Sequence, residues 1–210
     1  MDDLQKSRMR SISYWFVDGI SEIGTGLVIT LMGCLFLILY ILPTGSKWNW
    51  VLAYGQPVII VAAFLVVSRL VKIFKERVTF PRTGYVSYMQ PKTNQRIKRG
   101  VLAGATAAAV SILTTLISGK LDPRFTPLFM GALLALAMIV FAFYYGIKRF
   151  YFVALFTFST GALLCWLNVP NALSSSLVFV STGGSMMLAG LAALIHYLRT
   201  TEPASVEEME

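Results

Sequence analysis

Apolar residues along this chain gather into six long, almost uncharged stretches, at positions 26–42, 51–70, 101–118, 127–147, 151–169 and 175–198. A hydrocarbon layer about 30 Å thick is crossed by about 20 apolar residues in a helix. Lipid leaves no partner for free backbone groups, so each stretch is expected to be helical. A membrane β-barrel would instead alternate polar and apolar positions in segments about ten residues long, and no such alternation occurs. The run from Pro127 to Val169 is nearly continuous, and as one helix it would be about 65 Å long, too long for a bilayer. The pattern therefore predicts a reversal at Gly146-Ile147-Lys148-Arg149. The expected fold is an all-α polytopic membrane bundle of six transmembrane helices.

Charge orients this pattern. Lys and Arg divide 15 to 3 between the two sets of loops, with Lys47, Lys120 and Arg124 as the minority. Positive residues mark cytoplasmic loops, so both termini are expected in the cytoplasm of a cell-membrane protein. Trp48 and Trp50 fall in the first outer loop and Trp166 near the outer end of the fifth span, while Tyr144, Tyr145, Tyr151 and Phe152 flank an inner turn. Amphipathic rings favour the headgroup level at such places. The organisation read from these features is a cytoplasmic N-terminus at 1–10, an interfacial amphipathic helix at 11–24, a two-span hairpin at 25–70, a basic cytoplasmic loop at 71–100, a four-span bundle at 101–198 and an acidic cytoplasmic tail at 199–210. The first apolar run starts late and lacks a small-residue cleavage site, so it is not expected to be a signal peptide.

The composition fits a bilayer, with 56% hydrophobic and 13% charged residues. Soluble domains carry about 25% charged residues. Acids are therefore informative wherever they approach an apolar run. Asp18 and Glu22 stand four apart in the segment Tyr14-Trp15-Phe16-Val17-Asp18-Gly19-Ile20-Ser21-Glu22-Ile23-Gly24. This segment is expected to lie as a helix along the inner surface, with both acids on one face, and to turn into the first span near Gly24 and Gly26. The plain expectation is that the two carboxylates face the cytosol and pair with Arg8, Arg10 or the basic loop. The sharper one is a proton- or cation-binding pair beneath the bundle, because carboxylates inside a membrane protein are costly and tend to be functional.

Residues 69–99 hold nine Lys or Arg and a single acid, Glu76, for a net charge of +8, equal to that of the whole chain. Anionic inner-leaflet lipids attract such a cluster by about 1 kcal/mol per basic residue. Arg77, Arg82, Tyr85, Arg96, Lys98 and Arg99 are the candidate lipid- or partner-binding residues of this loop. Its centre, Val78-Thr79-Phe80-Pro81-Arg82-Thr83-Gly84-Tyr85-Val86-Ser87-Tyr88, sets two β-favouring runs around a Pro-Arg-Thr-Gly turn, which predicts a short β-hairpin-like loop. No nucleic-acid role is expected, since the loop matches no nucleic-acid-binding module. The segments Tyr14–Gly24 and Phe80–Val86 together resemble a group of bacterial multi-pass integral membrane proteins without an assigned activity. That resemblance covers about the first half of the chain and implies a fold and a location, but no site.

Small residues mark where helices meet. Gly19, Gly26 and Gly33 are spaced seven apart, span three opens with Gly100 and Gly104, and span six carries Ser185, Ala189 and Ala193. Such stripes allow close approach in lipid, either within one bundle or between copies in a homo-oligomer. Pro57 is expected to kink span two. Cys34 and Cys165 lie in different runs and are expected to be buried and unpaired. With one histidine, His196, and no catalytic or phosphate-binding motif, no metal, cofactor or enzymatic activity is expected. The leading functional expectation is a non-enzymatic membrane component whose cytoplasmic surface meets a partner protein or anionic lipid. The alternative is a small-solute or ion transporter or channel with Asp18 and Glu22 at its inner mouth.

Overall fold

The computed structural model describes residues 16–43, 45–80 and 122–201. Among these residues the chain is all-helical, with five long helices and no strand. They are α1 (Ile20–Ile41), α2 (Lys47–Val78), α3 (Thr126–Tyr145), α4 (Arg149–Trp166) and α5 (Asn171–Thr200), with a 3-10 turn at Pro123–Phe125 leading into α3. All five are long and apolar enough to cross a membrane. The expected span at 101–118, including Gly100 and Gly104 beside it, lies outside the described residues, as does most of the basic loop.

Local chemistry sets the ends of these helices. Ser46 caps α2 by accepting a hydrogen bond from the Trp48 amide at 3.3 Å. The predicted reversal between α3 and α4 is present. Gly146 ends α3 at φ 69°, a left-handed conformation that glycine adopts without strain, and Arg149 opens α4. Helices joined by a short turn (α1–α2, α3–α4 and α4–α5) run antiparallel, so the molecule has two ends. The start of α1, the end of α2, the α3–α4 turn and the end of α5 meet at one of them, here the near end. The α1–α2 and α4–α5 connections and the start of α3 lie at the far end.

Several expectations change here. The segment expected at 11–24 as a separate surface helix is, from residue 16 onward, a tight turn, and α1 begins at Ile20 and continues through Gly24 and Gly26 without a break. Neither glycine reorients the chain, because each is consumed by packing. A Cβ on Gly24 would stand 2.6 Å from Val71 of α2, and one on Gly26 would stand 2.7 Å from the Gly183 carbonyl of α5. α2 outruns its apolar stretch at both ends and takes in Trp48 and Trp50, which the sequence placed in a loop. Its 32 residues span about 48 Å, enough for the headgroup layers as well as the hydrocarbon. Val78, expected to start a β-hairpin, is the last helical residue, and Thr79 caps the helix in an α conformation; residues 81–88 are outside the described set. Pro57 sits inside α2 without ending it. Cys34 is exposed, not buried, while Cys165 is buried; both are free.

The core belongs to four of the helices. Ala135, Met138 and Ala142 of α3 pack against Phe150, Val153 and Ala154 of α4 and Met186 of α5, with Ile29 of α1 closing the cluster. The most extensive pairing is α1 with α5. Gly19, Gly26 and Gly33 face Gly190, Gly183 and Ser176, a second seven-residue stripe running the opposite way. The stripe therefore serves packing within the bundle. Ser176 donates to the Gly33 carbonyl at 2.7 Å, and Thr157 donates to Thr182 at 3.1 Å across α4 and α5. Hydroxyls in lipid thus find partners across helices. α2 stands apart from this core. Its apolar window is unburied among the described residues, and it contacts α1 along Val67 and Val71.

Candidate functional site

Four ionisable side chains come together at the near end. Asp18 lies in the turn before α1, held there by Gly19, which has φ 71° and whose hydrogen atoms lie against the Gly190 carbonyl where a Cβ would stand at 2.1 Å. The turn buries Asp18 completely. One carboxylate oxygen accepts the Ile20 amide at 3.1 Å, covering a free donor at the start of α1. Lys75, in the last turn of α2, reaches both oxygens at 2.9 and 2.8 Å, and the Thr79 hydroxyl donates to the second at 2.7 Å. Lys75 and Thr79 are one helical turn apart, so the continuation of α2 past its apolar run puts both on Asp18. Tyr197 near the end of α5 donates to the Thr79 carbonyl at 3.3 Å and ties in a third element.

Glu22 sits one turn into α1 and is also fully buried. Its Oε1 accepts from Arg149 Nε at 2.7 Å, with Nη2 at 2.6 Å in the same pair. Arg149 Nη2 also donates to the Phe16 carbonyl. The Phe16 ring meets Phe150 edge to face with centroids 6.1 Å apart, which seats the pre-helix turn on α4. The other oxygen of Glu22 is buried with no hydrogen-bond partner among the described residues.

The electrostatics are balanced. Two carboxylates and two cations cancel, and three of the four groups suit their helix termini: the acids stand by the positive start of α1, and Lys75 by the negative end of α2. Arg149 opens α4, where the helix dipole disfavours a cation, and Glu22 with the Phe16 carbonyl offsets this. A buried ion pair gains little net stability over an apolar pair of the same shape, but removing one member costs about 3–5 kcal/mol. The arrangement is thus a clasp: it fixes which helix ends meet more than it adds to stability.

This corrects part of the plain expectation for the acids. Asp18 and Glu22 are buried and do not face outward, but Asp18 does pair with a cation of the expected basic loop, Lys75, while Glu22 pairs with Arg149 at the α3–α4 turn. Arg8 and Arg10 lie outside the described residues. Of the loop candidates, Arg77 is exposed on the last turn of α2, whereas Arg82, Tyr85, Arg96, Lys98 and Arg99 lie outside the described residues. Lys75, Thr79, Arg149 and Tyr197 are the residues sequence reasoning passed over as individuals. The available signal was electroneutrality: two acids buried beside a span need two cations at the same depth, and Lys75 and Arg149 are each bordered by phenylalanine. Other cations at this end, Arg69, Lys72, Lys148 and Arg199, are exposed. No protein-family model, curated protein or solved structure matches the chain.

Proposed function

We propose that this is a non-enzymatic, multi-pass component of the cell membrane whose clasped near end faces the cytoplasm and presents a cationic surface to an acidic partner, either a protein surface or anionic headgroups. The observation that carries the reading is the division of labour among the cations. Lys75 and Arg149 are consumed by buried carboxylates, while Arg69, Lys72, Arg77, Lys148 and Arg199 stay exposed at the same end. The clasp thereby holds the helix ends that carry the exposed charges in one arrangement.

A sixth span at 101–118 belongs to the same proposal. Phe80 is at the near end and Asp122 leads into α3 from the far end, so one further crossing between them brings all six apolar runs and both termini into a single topology. The charge bias supports the cytoplasmic assignment of the near end.

The test uses full-length protein with Arg77, Lys98 and Arg99 changed together to Glu. Membrane insertion is expected to be unchanged, and flotation with vesicles containing phosphatidylglycerol, or chemical crosslinking to one defined protein in native membranes, is expected to fall. Vesicle loss alone identifies lipid as the partner, and crosslink loss alone identifies protein. Wild-type behaviour in both assays overturns the reading.

One observation favours the transporter alternative, the buried oxygen of Glu22 that has no hydrogen-bond partner among the described residues, since carboxylates inside membrane bundles serve in proton and ion pathways. Ion or proton flux through wild-type protein in liposomes, abolished by Glu22→Gln, would establish that alternative in place of the first.

A further inference from the structure

The tandem glycines of α5 have opposite surroundings. Gly183 is pressed onto α1, where a Cβ would meet the Thr30 hydroxyl, while the Cβ position of Gly184 is open among the described residues. Gly184 forms part of the floor of a groove of about 690 Å³ between α4 and α5. Phe152, Leu155 and Phe156 line it from α4, and Ser185 and Leu188 from α5. The Ser185 hydroxyl is spent on the Thr182 carbonyl at 2.9 Å, and that of Ser181, also in the groove, on the Val178 carbonyl at 3.0 Å. Ser159 of α4 also lines the groove, but with the other two hydroxyl donors used within α5 the lining is mostly hydrocarbon and suits an alkyl chain better than a polar solute.

Its near end is cationic. Along α4 the face that carries Phe152 and Phe156 continues one turn back to Lys148, and along α5 the face that carries Ser185 and Leu188 continues to His196 and Arg199. All three are exposed. Phe152, which is exposed, stands just inside this rim, at the level where aromatic side chains meet headgroups. We propose that the α4–α5 groove is a binding site for one anionic phospholipid of the near leaflet, with an acyl chain against Gly184 and Leu188 and the phosphate between Lys148 and Arg199. Charge complementarity selects this occupant: a neutral helix from a second copy would use the apolar floor but leave the cationic rim unpaired. The site rests on the proposed cationic role of the near end, of which Lys148 and Arg199 are part, but it does not use the basic loop, so its failure and the failure of the Arg77, Lys98 and Arg99 test are distinguishable.

Native mass spectrometry of the full-length protein in detergent, with equal amounts of phosphatidylglycerol and phosphatidylcholine, tests the site. Wild-type protein is expected to retain phosphatidylglycerol preferentially, and Lys148→Gln with Arg199→Gln is expected to lower that retention about tenfold or more while leaving phosphatidylcholine unaffected. Gly184→Leu, which fills the groove from an open position, is expected to remove retention of both lipids with the melting temperature unchanged. Equal retention of the two lipids by wild-type protein overturns the proposal. So does full phosphatidylglycerol binding by Gly184→Leu, or by the double Gln variant. A doubled mass that Gly184→Leu abolishes would instead make the groove an interface between copies.

Discussion

Asp18 shows how much one carboxylate in a turn can organise. It accepts from the amide that starts its own helix, from both the ammonium and the hydroxyl at the end of α2, and through Thr79 it reaches α5. Asp18→Asn keeps the shape but leaves Lys75 as an uncompensated buried cation, so a loss of about 3–5 kcal/mol is expected in reversible unfolding from detergent micelles. Asp18→Asn combined with Lys75→Met should recover a large part of that loss, because the cost lies in the stranded charge and not in the missing attraction. If the double variant is as unstable as the two single losses added together, the clasp is not a coupled pair. The acids themselves were legible in the sequence, since few carboxylates approach an apolar run. Their partners were not: Lys75 and Arg149 looked like two more members of the positive-inside bias, and only the fold places them at the depth of Asp18 and Glu22.

Among the elements, the α1–α5 seam is the clearest case of spacing converted into contact. Three glycines seven apart, one capping α1 and two within it, announced a packing face, and the structure supplies Ser176, Gly183 and Gly190 as its antiparallel complement. The complement could have been found by searching for the same period. In the stripe at Ser185, Ala189 and Ala193, Ser185 and Ala189 line the α4–α5 groove, and Ala193 reaches a seam glycine, Gly19. Adjacent glycines make a controlled experiment. Gly183→Ala would place a methyl 2.5 Å from the Gly26 carbonyl, and helix separation of that kind is expected to cost about 1–3 kcal/mol. Gly184→Ala, into open space, is expected to be neutral or slightly stabilising, since alanine restricts the unfolded backbone. Melting temperatures of the two variants side by side measure the seam; equal behaviour would mean that α1 and α5 do not approach as described. The end of α2 was misread for a related reason. A hydropathy boundary stops at the first charge, whereas the helix continues through Lys72, Lys75 and Glu76, with Lys72 and Glu76 3.8 Å apart at i and i+4, and its terminus is fixed by what Lys75 and Thr79 hold.

At the scale of the whole molecule, hydropathy and charge make different kinds of claim. Length and apolarity are intrinsic to a segment, so five helices long and apolar enough to cross a membrane and the reversal at Gly146 could be read directly. Which ends share a side follows from contacts between residues far apart in sequence, and here the Asp18–Lys75 and Glu22–Arg149 pairs assign the start of α1, the end of α2 and the start of α4 to one side independently of any charge count. Charge bias then has a single task, to say which side that is. The two inferences can be tested together by single cysteines in a background with Cys34 and Cys165 replaced. Gly45 and Asp122 are at the far end, Lys148 and Thr200 at the near end, and all four are exposed. With a membrane-impermeant maleimide, Gly45→Cys and Asp122→Cys should label in intact cells, and Lys148→Cys and Thr200→Cys only after permeabilisation. The inverse pattern would preserve the fold and reverse its orientation, at odds with the positive-inside bias. Labelling of Asp122→Cys on the same side as Lys148→Cys would break the arrangement itself, because α3 would no longer cross between them and no further crossing would be required between Phe80 and Asp122.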